Sequence, residues 1–168
     1  RELRRPPLDT LELPLLGQHQ RMNAAVAAAT VRALASQLPV SEDTLRNGLS
    51  RVHWAGRLQL VTRPSGQKVL LDGGHNMGGA GILAAAVSEY FPSTKLTLVL
   101  GILSDKDWSG MCEILAPLAG RILLVPVPSE RSALPEQLAE VCRRINVNAQ
   151  ISTYSSLRDA LAETAADS

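Results

Sequence analysis

The string Leu70-Leu71-Asp72-Gly73-Gly74-His75-Asn76-Met77-Gly78-Gly79-Ala80 leaves this chain few local options. The apolar run Val69–Leu71 ends on an acid, two glycines follow, and His75-Asn76 leads into small residues that open an amphipathic segment. Such a pattern reads as a buried strand passing to a helix through a loop tight enough for a ligand to touch the backbone. It sets a carboxylate, an imidazole and an amide near a helix N-terminus. Alone, it divides evenly between turn chemistry and a ligand site. Asp72 could be the helix N-cap and nothing more, and His75 could pack on a neighbour. The string is not a P-loop, lacking Lys-Ser/Thr, and its spacing is not G-x-G-x-x-G.

The rest of the chain alternates around this point. Leu11, Leu13, Leu15 and Leu16 suggest a short strand into Gly17. Asn23 to Leu38 is Ala-rich and reads as a helix, stopped by Pro39. Ser41 caps a second helix from Glu42 to about Leu49. Arg57–Thr62 and Lys68–Leu71 read as strands around a turn at 63–67. Helices follow at Met77–Tyr90, Trp108–Leu118, Ser132 or Ala133 to Ile145, and Ser156–Ala166. Strands are expected at Lys95–Leu100, Arg121–Val127 and Ala149–Tyr154. Apolar strands alternating with helices predict a mostly parallel α/β sheet covered on both faces, preceded by a short helical segment. The boundary falls between about Arg51 and Gly56, dividing the chain into 1–53 and 54–168. Ligands of open α/β sheets bind at the carboxyl ends of strands. Those ends are Asp72–Asn76, Gly101–Asp107 and Pro126–Arg131, all polar, whereas the opposite loops are plain.

Composition excludes several classes of function. The 168 residues suit one domain, or one domain plus part of another, and 45% hydrophobic content suffices for a core. A net charge of +1 gives no electrostatic case for nucleic acid. Arg1, Arg4 and Arg5 read as a solvated end. No apolar run approaches the ~20 residues of a membrane span, and no signal-peptide pattern opens the chain, so a cytoplasmic protein is expected. Cys112 and Cys142 read as buried thiols. His19, His53 and His75 have no partner at helical ligand spacing, so no metal site is expected within the chain.

Three further strings are equally two-sided. Gly101-Ile102-Leu103-Ser104-Asp105-Lys106-Asp107 fits a helix start capped by Ser104 or Asp105, with Lys106 solvated between two acids. Arg57, in Trp54-Ala55-Gly56-Arg57-Leu58, is either an exposed strand arginine or a phosphate ligand. Gly17-Gln18-His19-Gln20 begins a segment dense in amides and imidazole.

Together and in this order, Gly17-Gln18-His19-Gln20 with Asn23-Ala24-Ala25, Trp54-Ala55-Gly56-Arg57-Leu58, Leu71-Asp72-Gly73-Gly74-His75-Asn76 and Gly101–Asp107 resemble the folylpolyglutamate synthase / dihydrofolate synthase family of the Mur ligase superfamily, over about Leu16 to Arg131. The resemblance implies a Rossmann-like C-terminal domain at 54–168, preceded at 1–53 by the tail of the central ATPase domain. The family joins L-glutamate to folate or dihydropteroate, using ATP and Mg2+ to pass through an acyl phosphate. Asn23 then resembles an adenine-side contact, and Arg57 an arginine reaching the ATP phosphates. Asp72 resembles a nucleotide-binding acid acting through ribose hydroxyls. His75 resembles the histidine between nucleotide and incoming amino acid. Arg131 is placed to hold a glutamate carboxylate. On this reading Arg57 and His75 are the catalytic candidates.

The family usually reads Asp-Gly-Ala-His-Asn-Pro where this chain has Gly74 and Met77, which implies a more flexible loop. The P-loop and the Mg2+ ligands are expected in an N-terminal ATPase domain outside the chain, and a last strand with its Gly-Ser-Leu-Tyr string beyond Ala166. The resemblance therefore implies a C-terminal fragment, inert by itself, whose partners are that ATPase domain and the substrates. A dinucleotide-binding oxidoreductase domain and a non-catalytic Rossmann-like interaction module are the alternatives.

Overall fold

The computed structural model describes residues 11–165, so the basic cluster Arg1, Arg4 and Arg5 lies outside the described residues. The chain divides into two units. The first is the chain as far as Val61 together with Leu70–Asp72, and the second is Thr62–Val69 with everything from Gly73 onward.

In the first unit no strand forms at 11–16. The alternating leucines expected to make one find no partner strand. Helix α1 spans Gln18–Ala33, beginning and ending about a turn earlier than the Ala-rich run suggested. Its start is set by Gly17, whose φ of +95° breaks the helical path without a side-chain cap. Helix α2, Glu42–Ser50, begins where expected, with the Thr44 N–H donating to Ser41 Oγ at 3.2 Å. Arg32, in the last turn of α1, grips Glu42 through Nε at 3.0 Å and Nη2 at 2.7 Å, fixing α2 against α1.

Strands β1 (Gln59–Thr62) and β2 (Lys68–Leu71) form a two-stranded sheet, with Arg63 N–H donating to the Gln67 carbonyl across the turn. Among the described residues β2 pairs with β1, not with the parallel sheet.

The second unit is built on a parallel three-stranded sheet in the order β3-β4-β5, with β3 at Leu96–Leu100, β4 at Ala119–Leu124 and β5 at Gln150–Thr153. The run Ile122–Val125 is apolar because both faces of this central strand are covered. Ile122 and Leu124 face a core shared with α3 (Met77–Tyr90), α4 (Trp108–Leu115) and α5 (Pro135–Ile145). Leu123 and Val125 face Ala160 of α6 (Leu157–Ala165). Each fully buried leucine contributes about 1.5–3 kcal/mol relative to an exposed one. Helices thus lie on both faces, as the apolar alternation predicted.

Several boundaries move for local reasons. Asp107, not Ser104 or Asp105, caps α4, its Oδ1 accepting from Gly110 N–H at 3.0 Å. Pro117 turns the end of the expected helix into a 3-10 turn at Ala116–Leu118. Pro135 at the first helical position delays α5. Cys112 and Cys142 are buried free thiols, as expected. They touch across α4 and α5, and the hydrogen bond with Cys142, then burial, pushes the Cys112 thiol up.

Candidate functional site

The first unit carries Asn23, Arg57 and Asp72. Asn23 is exposed on α1, and its Nδ2 donates to Oε1 of the buried Gln20 at 3.2 Å, which orients the amide. Arg57 lies in a turn between two residues of positive φ, Gly56 at +69° and Leu58 at +44°. Its N–H donates to the Trp54 carbonyl, and its guanidinium lies over the Trp54 ring, 5.8 Å from the centroid. Trp54 is 53% exposed, so it serves as a shelf for the cation more than as core. The turn is closed by Gly56 N–H donating to Gln59 Oε1 at 2.9 Å.

Asp72 does not cap a helix. Its Oδ2 accepts from the Leu58 N–H at 2.9 Å, joining the Asp72 strand end to the Arg57 turn. Sequence reading missed Leu58 and Trp54. Trp54 had a signal, an aromatic three residues from an arginine. Leu58 had none, because Gly56 was the obvious left-handed residue.

The second unit carries His75 and Arg131. His75 is exposed, with Nδ1 3.1 Å from the Gly73 carbonyl. That contact is a hydrogen bond when Nδ1 carries the proton, which in the neutral ring leaves Nε2 as an acceptor. Asn76 caps α3 through Gly79 N–H at 2.8 Å. Met77, at the position where the resemblance leads proline to be expected, has its sulfur 2.6 Å from the place a Cβ on Gly110 would take. Met77 thereby packs against the first turn of α4.

The loops after β3 and β4 are laced together. Ser104 N–H donates to the Arg131 carbonyl at 2.7 Å, Ala133 N–H to the Ile102 carbonyl at 2.9 Å, and Leu103 pairs with Ser132. This brings Arg131 Nη1 to 3.6 Å from Asp105, while Lys106 Nζ pairs with the same carboxylate at 3.0 Å. Lys106 is therefore engaged, not merely solvated as its flanking acids suggested. Arg131 remains 67% exposed at the side chain, available to an incoming anion. Among the described residues no group of three His, Cys, Asp or Glu could hold a metal ion, and no helix is long and apolar enough to cross a membrane.

Residues 56–168 match the family model described as Mur ligase, glutamate ligase domain. The folylpolyglutamate synthase of Lacticaseibacillus casei is 36% identical over 131 residues, covering 77% of this chain and 30% of that protein. A structure of the Mycobacterium tuberculosis folylpolyglutamate synthase complexed with ADP superposes with a TM-score of 0.82 at 32% identity, covering 93% of this chain and 34% of the other. The E. coli FolC structure in complex with DHPP and ADP gives 0.80 at 31%, covering 96% and 36%. The chain thus spans about a third of the length of each of these three relatives. It belongs to the Mur ligase, glutamate ligase domain family, and its relatives within that family are folylpolyglutamate and dihydrofolate synthases.

Proposed function

We propose that this chain is the C-terminal, nucleotide-closing part of an ATP-dependent ligase that adds L-glutamate to folate or dihydropteroate. On this reading 1–53 belong to the tail of the ATPase domain and 54–168 to the C-terminal domain, a boundary consistent with a family match that begins at residue 56. The P-loop and the Mg2+ ligands come from the ATPase domain, and the protein works in the cytoplasm.

The observation that carries the reading is the Arg57 turn. A guanidinium held on an aromatic face, in a turn anchored by Asp72, suits a polyphosphate better than a plain exposed strand would. ATP supplies the phosphoryl group that activates the substrate carboxylate. Arg57 offsets negative charge as that group transfers. Asn23 lies on the adenine side, and Asp72 turns its carboxylate to ribose hydroxyls as well as to Leu58. His75, with Nδ1 on Gly73, offers Nε2 toward the nucleotide and the incoming amine. Arg131 receives a glutamate carboxylate, which must compete with Asp105. Exposed pairs of this kind are weak enough to exchange.

In the intact enzyme, Arg57→Ala lowers kcat on the order of a hundredfold, as loss of one charge-stabilising donor commonly does. Steady-state kinetics with ATP, glutamate and folate check this. Unchanged kcat and KM would remove Arg57 from the phosphate site.

A further inference from the structure

We propose that Leu58 is a positioning residue for Arg57, and this rests on the phosphate-site reading of Arg57 above. Leu58 holds a φ of +44°, a conformation that L side chains larger than glycine seldom keep. Such a residue persists where its surroundings over-determine it. Two restraints act here, one on the backbone and one on the side chain. Its N–H donates to Asp72 Oδ2 at 2.9 Å, and its side chain is only 2% exposed. Its Cδ1 sits 2.9 Å from where a Cβ on Gly17 would lie, beside the His19 ring at 2.7 Å, so the leucine and the imidazole together fill the gap that this glycine leaves at the start of α1.

Glycine would satisfy the turn at lower conformational cost. Leucine instead ties the turn to α1, which carries Asn23, and to the strand end that carries Asp72. Arg57 sits between left-handed Gly56 and left-handed Leu58, so the direction in which its side chain leaves the backbone is set by both neighbours. Trp54 then limits where the guanidinium can go. A phosphate-directed arginine gains from such restraint, because a charge placed before the reaction costs no reorganisation during it.

The test compares Arg57→Ala, Leu58→Gly, Leu58→Met and the double variant Arg57→Ala/Leu58→Gly in the intact enzyme. Leu58→Gly is expected to lower kcat about tenfold or more, with KM for ATP changed less than about threefold, because misplacing a reacting group costs rate more than binding. Leu58→Met should restore most of the loss. The double variant should stay within about twofold of Arg57→Ala alone, because two changes acting through one group do not multiply. A Leu58→Gly enzyme with wild-type kcat, or a double variant showing the product of the two losses, overturns the proposal. A silent Arg57→Ala removes the underlying reading and this inference with it, and is recognised by that single variant. Circular dichroism and thermal unfolding accompany each measurement. If Leu58→Gly does not fold, Leu58→Ala takes its place, since it removes the side-chain contact toward α1 while leaving the backbone N–H that Asp72 accepts from. A kcat loss not multiplied by Arg57→Ala then supports the proposal, and no loss or a multiplied loss overturns it.

Discussion

Asp72 and Asp105 spend their carboxylates on different partners. Asp72 accepts from a backbone N–H and so holds the shape of a turn. Asp105 is shared between two cations, Lys106 at 3.0 Å and Arg131 at 3.6 Å. The hydrogen bond from Lys106, with the charges of Lys106 and Arg131 adding to it, holds Asp105 below the usual carboxylate range. A carboxylate whose folded pKa is lowered stabilises the fold above its unfolded pKa, and that contribution is lost as pH falls through the lowered value. Lys106→Met is therefore expected to move the Asp105 midpoint upward, read by NMR titration of the side-chain carboxyl. A midpoint unmoved in the variant would show that Lys106 does not hold the carboxylate in solution. On the proposed function the consequence is local: Asp105 pre-positions Arg131 until a substrate carboxylate replaces it.

At the scale of elements, fastening at the ends decides the boundaries. Asn146, which follows α5, donates through Nδ2 to the Ala116 carbonyl at 2.8 Å and the Ala119 carbonyl at 2.9 Å. One side chain thus binds the start of the 3-10 turn and the start of β4. Asn146→Ala removes the donor from two partly buried carbonyls and is expected to cost about 1–3 kcal/mol. Urea unfolding should show a lower midpoint at unchanged slope, and an unchanged midpoint would mean that water replaces the amide without loss. Elements with local signals were legible in advance. Helix α3 runs from Met77 to Tyr90 as read, because Asn76 is a good cap and Phe91-Pro92 a clear stop. Helix α1 slipped because an alanine run has no internal mark for its start, and Gly17 begins it without a side-chain signal. The candidate residues Asn23, Arg57, Asp72, His75 and Arg131 were picked out as residue types in order, which is a reading of the sequence and says nothing of their contacts. Contacts across distance were not legible. The Leu58–Asp72 hydrogen bond, the meeting of Cys112 with Cys142 and the Asp105–Arg131 pair join residues that no local pattern links.

For the whole molecule, the division of labour follows from what the chain carries. It has an arginine turn, a helix that carries Asn23 and loops with an exposed cation, but its sequence holds no Gly-x-x-x-x-Gly-Lys-Ser/Thr string to cradle phosphates. A nucleotide gripped only through one arginine and a few polar contacts forgoes the backbone cradle and the metal bridge, which act together on the β- and γ-phosphates. On the proposed function, the isolated 168-residue chain should therefore bind ATP no more tightly than about millimolar, near 4 kcal/mol. It should give no ligase turnover with ATP, folate or dihydropteroate, and glutamate. Isothermal titration with ATP and a coupled ADP-release assay measure both quantities. Micromolar ATP binding that survives Arg57→Ala would place the main nucleotide contacts elsewhere in the chain. Turnover by the isolated chain would show that these loops assemble a complete catalytic site, and would overturn the assignment of phosphate and metal binding to another domain.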